Sequence, residues 1–185
     1  MNKPKLSIWV CVLIALCLVA FGLLFGTVRG YNMERAQVEK KLSGDNGLLD
    51  ALDYRGIDGL NLCVVAGRHL TDNEDVQKLQ AAARVLRDEN ASLADKKAAD
   101  ERMIDAAKAV TKALKEQPTF AASQRDVSYL SQITDDLAQW ALTIENGDYD
   151  KAAADFNKSL SDPIGGFFAK VLGVKPMELY GGEQE

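Results

Sequence analysis

The side chains best suited to chemistry in this chain are Cys63 and His69, because a thiolate nucleophile needs a nearby base and the sequence holds a single histidine. Six residues turn a helix through about 600°, at 3.6 residues per turn, so the two side chains leave it in different directions. They read as a buried structural thiol and a histidine near a helix end. Paired carboxylates fare no better. Asp135 and Asp136 are neighbours that splay by about 100° on a helix, while Asp72, Glu74 and Asp75 suit a first turn, where negative charge meets free N–H groups. The run Asp148 to Asp155 lacks the glycine and closing glutamate of a calcium loop, and no His or Cys cluster has metal-ligand spacing. Gly44-Asp45-Asn46-Gly47 lacks the lysine and following helix pattern of a phosphate loop, so it is a turn. These residues predict neither catalysis, nor a cofactor, nor a metal. One spacing does suggest a contact: Gly22, Gly26 and Gly30, four apart, put three flat patches on one side of a helix where a second membrane helix, or a second copy of this one, could pack.

Those glycines belong to the stretch that organises the chain. Residues 6–26, LSIWVCVLIALCLVAFGLLFG, carry no charge and as a helix would reach about 31 Å, the thickness of a bilayer's hydrocarbon core. A helix satisfies its own backbone groups in lipid, and Leu, Ile, Val and Phe on every side leave it no polar face. Trp9 and Tyr31 suit the two headgroup regions, and Lys3 and Lys5 in the basic tail 1–5 stop the helix from sliding further in and favour a cytoplasmic amino terminus. Cleavage as a signal peptide needs a small-residue pair, which the run through Val19, Phe21, Leu23 and Leu24 lacks, so an uncleaved signal anchor is expected. Cys17 lies between Leu16 and Leu18, a poor context for lipid attachment. Arg29, Arg35, Lys40 and Lys41 counter the tail's lysines in the count that sets orientation. A long acidic domain crosses despite a few flanking charges, so the domain is expected outside the cytoplasm, with the chain single-pass.

Beyond the span, 27–162 are enough for one domain with its own core, followed by a short apolar segment and tail, 163–185. Two of the 22 basic residues, Lys3 and Lys5, precede residue 27 and none of the 27 acidic ones does, which leaves −7 beyond it. Such a surface repels phosphate backbones, so nucleic acid is not an expected partner. With Cys11 and Cys17 in the apolar run, Cys63 has no soluble partner for a disulfide.

Helical periodicity accounts for nearly all of this part. Tyr31, Val38 and Leu42 continue the first helix out of the membrane until Ser43 to Gly47 breaks it. Leu49, Leu52, Gly56, Gly59, Cys63, Ala66 and Leu70 form a stripe whose small members admit close packing. Thr71 to Glu74 reads as a capping box that starts a third helix, which Asn90-Ala91-Ser92 either kinks or divides and Pro118 ends. Ser123 caps the next helix, with Val127, Leu130, Ile133, Leu137, Trp140, Ala141 and Ile144 on its apolar face, and Asp148 precedes another. No stretch alternates with period two. The prediction is all-α: an N-terminal transmembrane helix followed by an up-and-down antiparallel bundle. The segment after Pro163, interrupted by Gly165, Gly166, Gly173 and Pro176, is expected to dock on the bundle or to lie near the bilayer surface.

At the carboxyl end, Tyr149, Ala152, Asp155, Phe156 and Asn157, then Pro163, then Ala169-Lys170-Val171-Leu172-Gly173, resemble the closing motif of the LemA family, of the form YNxAVxxYN, a Pro, and AKLFGF. Tyr31-Asn32 after the span resembles that family's Tyr-Asn pair, and Arg55, Asn61 and Leu62 keep the spacing of its RxDLIPNL segment. Ile57, Leu60, Gln139 and Asp150 depart from the pattern, as in a divergent member. The resemblance implies a membrane-anchored antiparallel helical bundle with no defined biochemical activity. Two functions fit this reading. One is a non-enzymatic interaction or scaffold protein of the cell envelope, with a membrane or envelope protein as partner. The other is a ligand-sensing ectodomain that signals through a partner protein. Candidate partner surfaces are the small-residue stripe from Gly56 to Ala66 and the apolar tail from Phe167 to Tyr180.

Overall fold

A computed structural model describes residues 7–182; the basic tail with Lys3 and Lys5, Leu6 and the last three residues lie outside the described residues. Within that range the chain is all-helical and no strand forms. Eight helices follow in order: α1 (Ile8–Ser43), α2 (Leu48–Ala66), α3 (Glu74–Arg87), α4 (Leu93–Lys115), α5 (Pro118–Ala121), α6 (Gln124–Glu145), α7 (Tyr149–Ser159) and α8 (Gly165–Val171). The chain divides into two compact units, one of residues up to Val38 with Ala152–Met177, the other of Glu39–Lys151 with residues from Glu178 on.

In the first unit, α1 is the one helix among the described residues long and apolar enough to cross a membrane. Its side chains from Ser7 to Leu23 are all exposed, so no protein contact accounts for their apolar character. The helix runs on unbroken past Gly26, as the recurrence of Tyr31, Val38 and Leu42 predicts. The Tyr31 hydroxyl donates to the Ser159 carbonyl (3.0 Å), and the Ser159 hydroxyl reaches Glu34 Oε2 (3.4 Å). Phe156, Leu160 and Ala169 are fully buried.

The second unit is built on α2. It packs against α3, α4 and α6; α3 packs against α4, and α5 lies against α4 and α6. The small-residue stripe is what brings α3 and α4 in. A Cβ on Gly56 would lie 2.9 Å from the Ala83 carbonyl oxygen, and one on Gly59 would lie 2.8 Å from Met103 Sδ. Leu52, Leu62, Leu79, Leu86, Val110 and Leu114 fill the core around this crossing.

Local chemistry sets the helix ends. Asn90-Ala91-Ser92 divides rather than kinks the third periodic segment: α3 ends at Arg87, and Ser92 caps α4 by accepting from the Asp95 N–H (3.1 Å). The reversal is closed by Lys96, a buried lysine whose Nζ donates to the Leu86 carbonyl at the end of α3 (2.6 Å). The expected capping box is corrected. Asn73, not Thr71, caps α3, its Oδ1 accepting from the N–H groups of Asp75 (2.9 Å) and Val76 (3.1 Å). The reason is Asp72, whose φ of 49° turns the chain before the helix can begin. Pro118 opens α5 rather than closing α4, which stops at Lys115; its missing N–H costs nothing at a first helical turn. Ser123 caps α6 as expected.

Candidate functional site

The structure separates the two residues best suited to nucleophilic chemistry. The Cys63 thiol, 8% exposed, points toward the Val76 carbonyl (Sγ···O 3.6 Å), and burial pushes it up to about 11, so it is a thiol and not a thiolate near neutrality. His69 lies just beyond α2 and faces away, toward α5 and α6.

There His69 joins a cluster that spacing did not reveal. Its Nε2 lies 2.9 Å from Asp126 Oδ2 and its Nδ1 lies 3.1 Å from Thr119 Oγ1. Hydroxyl, imidazole and carboxylate thus stand in the order of a proton relay. Two further contacts make it a cross-link. Asp126 is already engaged by Arg68 and by Arg125, and the His69 ring is packed edge-on against Phe120 (5.5 Å between centroids). The His69 hydrogen bond, with help from Ser123 and Arg68, holds the Asp126 carboxyl down at about 2, so it is ionised under all ordinary conditions. The cluster ties the end of α2 to the starts of α5 and α6. In the sequence Asp126 stands third after the cap Ser123, where a carboxylate reads as a capping partner; that local role hides the long-range one.

The remaining polar candidates make local contacts. Glu74 and Asp75 begin α3 and pair with Lys78. Asp148 pairs with Lys41, and Asp150 accepts from the N–H groups of Tyr180 (2.7 Å) and Gly181 (2.8 Å), fastening those two residues to the start of α7. Asp136 faces Asp58, whose carboxyl is raised by burial and by that neighbour; the Trp140 indole N–H donates to Asp58 (3.1 Å) while its ring stacks on Tyr54. Gly44 to Gly47 form the turn after α1. Among the described residues no group of three or more His, Cys, Asp or Glu could hold a metal ion. Gly22, Gly26 and Gly30 lie on exposed α1, where a Cβ would meet nothing within 4 Å. The stripe from Gly56 to Ala66 is consumed by internal packing, so it offers no partner surface.

What the second unit does present is a groove of about 710 Å³. It exists because α4 and α6 both pack on α2 but not along one another. Steps of three and four aim Ile104, Ala107 and Thr111 of α4 at Thr134, Leu137, Ala138 and Ala141 of α6, so one face of each helix is apolar and slender. Lys108, Lys112 and Lys115 line the α4 edge, exposed and without an ion-pair partner among the described residues. At the floor are Met103 and Arg55. Arg55 Nε lies 3.0 Å from Asp100 Oδ1, and the Tyr180 hydroxyl donates to Asp100 Oδ2 (3.3 Å). Burial raises the Asp100 carboxyl in spite of Arg55, and burial together with Asp100 raises the Tyr180 phenol. The sequence marked the apolar face of α6 but not its opposite wall, because Ala107 and Thr111 carry little hydrophobic signal.

No family model matches the chain, and no curated protein or solved structure is significantly similar to it.

Proposed function

We propose that this protein is a LemA-like, single-pass envelope protein whose helical domain is a non-enzymatic interaction module, held outside the cytoplasm by α1. The groove between α4 and α6 is the observation that carries this reading. A slender apolar cleft with basic residues along one edge, in a part of the chain with net charge −7, suits an amphipathic helix that brings carboxylates to Lys108, Lys112 and Lys115. The partner is therefore an envelope or membrane protein with an acidic amphipathic segment. The test is a photo-crosslinking amino acid at Ala138, inside the groove, compared with one at Gln132, outside it, in cells. A discrete protein adduct at Ala138 that disappears when Ala107→Trp fills the groove supports the module. Equal labelling at both positions, or none at Ala138, overturns it. Protease accessibility in intact cells tests the orientation.

A second reading, a ligand-sensing ectodomain, is favoured by the groove's volume, which falls within the roughly 300–1,000 Å³ of small-molecule sites. A small molecule released from the purified full chain in native mass spectrometry, and absent from Ala107→Trp, would favour it over the protein partner.

A further inference from the structure

The first unit holds a second apolar feature, and its position says what covers it. On α8 and its flanks, Ile164, Phe167, Val171 and Leu172 are 71, 59, 66 and 58% exposed, and Phe168 is exposed beside them. Gly166 and Ala169 take the buried side of the helix. Water is a poor environment for five such side chains in nine residues, and nothing within this unit covers them.

Their depth relative to α1 is fixed by contacts within the unit. The Asp162 carboxylate accepts from the N–H groups of Ile164 (3.0 Å) and Gly165 (2.6 Å), setting the start of α8. A Cβ placed on Gly165 would lie 3.2 Å from the Tyr31 hydroxyl and 3.5 Å from Thr27 Cγ2. Thr27 immediately follows the uncharged stretch, and Arg29 is the first charged residue beyond it. The turn therefore meets α1 at the level where that helix would pass from hydrocarbon to headgroups. Lys170 and Lys175, both exposed, accompany the apolar residues and suit anionic headgroups.

We infer that α8 is a membrane-surface anchor: Ile164, Phe167, Phe168, Val171 and Leu172 enter the acyl–headgroup boundary of the bilayer that α1 spans, with Lys170 and Lys175 at its anionic surface. The inference rests on α1 as the span. It assigns to the bilayer an apolar face that a protein would otherwise have to cover, and it gives the chain two points of attachment instead of one. An anchor held at two points restricts the rotation of the first unit about α1, which a lone span leaves free.

The test uses the full chain in lipid nanodiscs with Cys11, Cys17 and Cys63 replaced by Ala. An environment-sensitive dye is placed on one new cysteine at a time: Phe167→Cys on α8, Leu18→Cys in the span and Gln132→Cys in water. Phe167 is exposed and its ring contact is with its exposed neighbour Phe168, so its replacement leaves the core untouched. Lipids brominated on their acyl chains are expected to quench the dye at Phe167→Cys several-fold more than at Gln132→Cys, and phosphatidylglycerol is expected to strengthen the difference. Quenching at Leu18→Cys with none at Phe167→Cys overturns the α8 anchor and leaves the span intact. Quenching at Phe167→Cys alone overturns the span, and with it the attachment at two points. Quenching at neither overturns both.

Discussion

Arg55 Nε and Asp100 Oδ1 lie 3.0 Å apart with both side chains more than nine-tenths buried, yet the N–H does not point along that line, so they attract as charges without a linear hydrogen bond. Attraction of this kind compensates desolvation poorly, and burial accordingly wins at Asp100, raising its carboxyl. Removing one member strands the other. Asp100→Ala should lower the stability of the second unit by about 3–5 kcal/mol, while Arg55→Met with Asp100→Leu should be near neutral. Urea unfolding of the two variants checks this; a double variant as unstable as the single one would mean that the pair is worth more than its geometry allows.

Asp126 makes the opposite prediction from Asp100. Its folded-state pKa is depressed to about 2, below the roughly 3.9 of an unfolded aspartate, so its contribution is complete above pH 4 and is lost as pH falls toward 2. Asp100 is raised, so acid favours its folded form and opposes part of that loss at higher pH. Asp126→Asn should be less stable than the parent at pH 7 and should flatten the stability curve between pH 4 and 2. Denaturation midpoints across that range read both effects; an unchanged slope would remove Asp126 from the account.

The fold was legible in the sequence because its strongest signals are local. An uncharged apolar run, period-3.6 stripes and the cap Ser123 need no knowledge of the partner helix. The site was much less legible. His69 and Asp126 meet across 57 positions, Arg55 and Asp100 across 45, and neither pair leaves a periodic trace. The groove is a gap between helices, set by which flank of α2 each neighbour takes, and a gap has no residues of its own to read. Thr71 misled for a local reason: Thr71 and Asn73, two positions apart, can both cap, and the backbone at Asp72 between them decides.

The same close packing distinguishes two glycines that look alike in sequence. On Gly56 a Cβ would press on Arg87 Cγ (2.6 Å) and on the Ala83 carbonyl oxygen (2.9 Å), which is backbone and cannot move alone. On Gly59 the nearest atoms are Met103 Sδ (2.8 Å), part of a flexible side chain that borders the groove, and Ala83 Cβ (3.1 Å), so no backbone atom stands in the way. Alanine gains up to about 1 kcal/mol of helix propensity at either site. Gly59→Ala should therefore cost less than Gly56→Ala, which should lose roughly 1–3 kcal/mol to overpacking before that gain. Thermal unfolding of the pair gives the comparison, and a reversed order would contradict the packing described for α2 and α3.

Asn157 holds the chain beyond α8 through both ends of its carboxamide: Nδ2 donates to the Met177 carbonyl (2.8 Å) and Oδ1 accepts from the Met177 N–H (2.7 Å). This two-way match copies a strand pairing at one residue and holds Met177 where it is 7% exposed. Asn157→Ala removes both bonds and should cost about 1–3 kcal/mol. Asn157→Asp keeps the acceptor, loses the donor and sets a charge against the Met177 carbonyl, so it should be at least as harmful. Hydrogen exchange locates the effect: the Met177 amide should lose protection in both variants, while amides in the core of α2 keep theirs. Loss of protection throughout α2 would mean that the clamp supports the whole domain and not the tail alone.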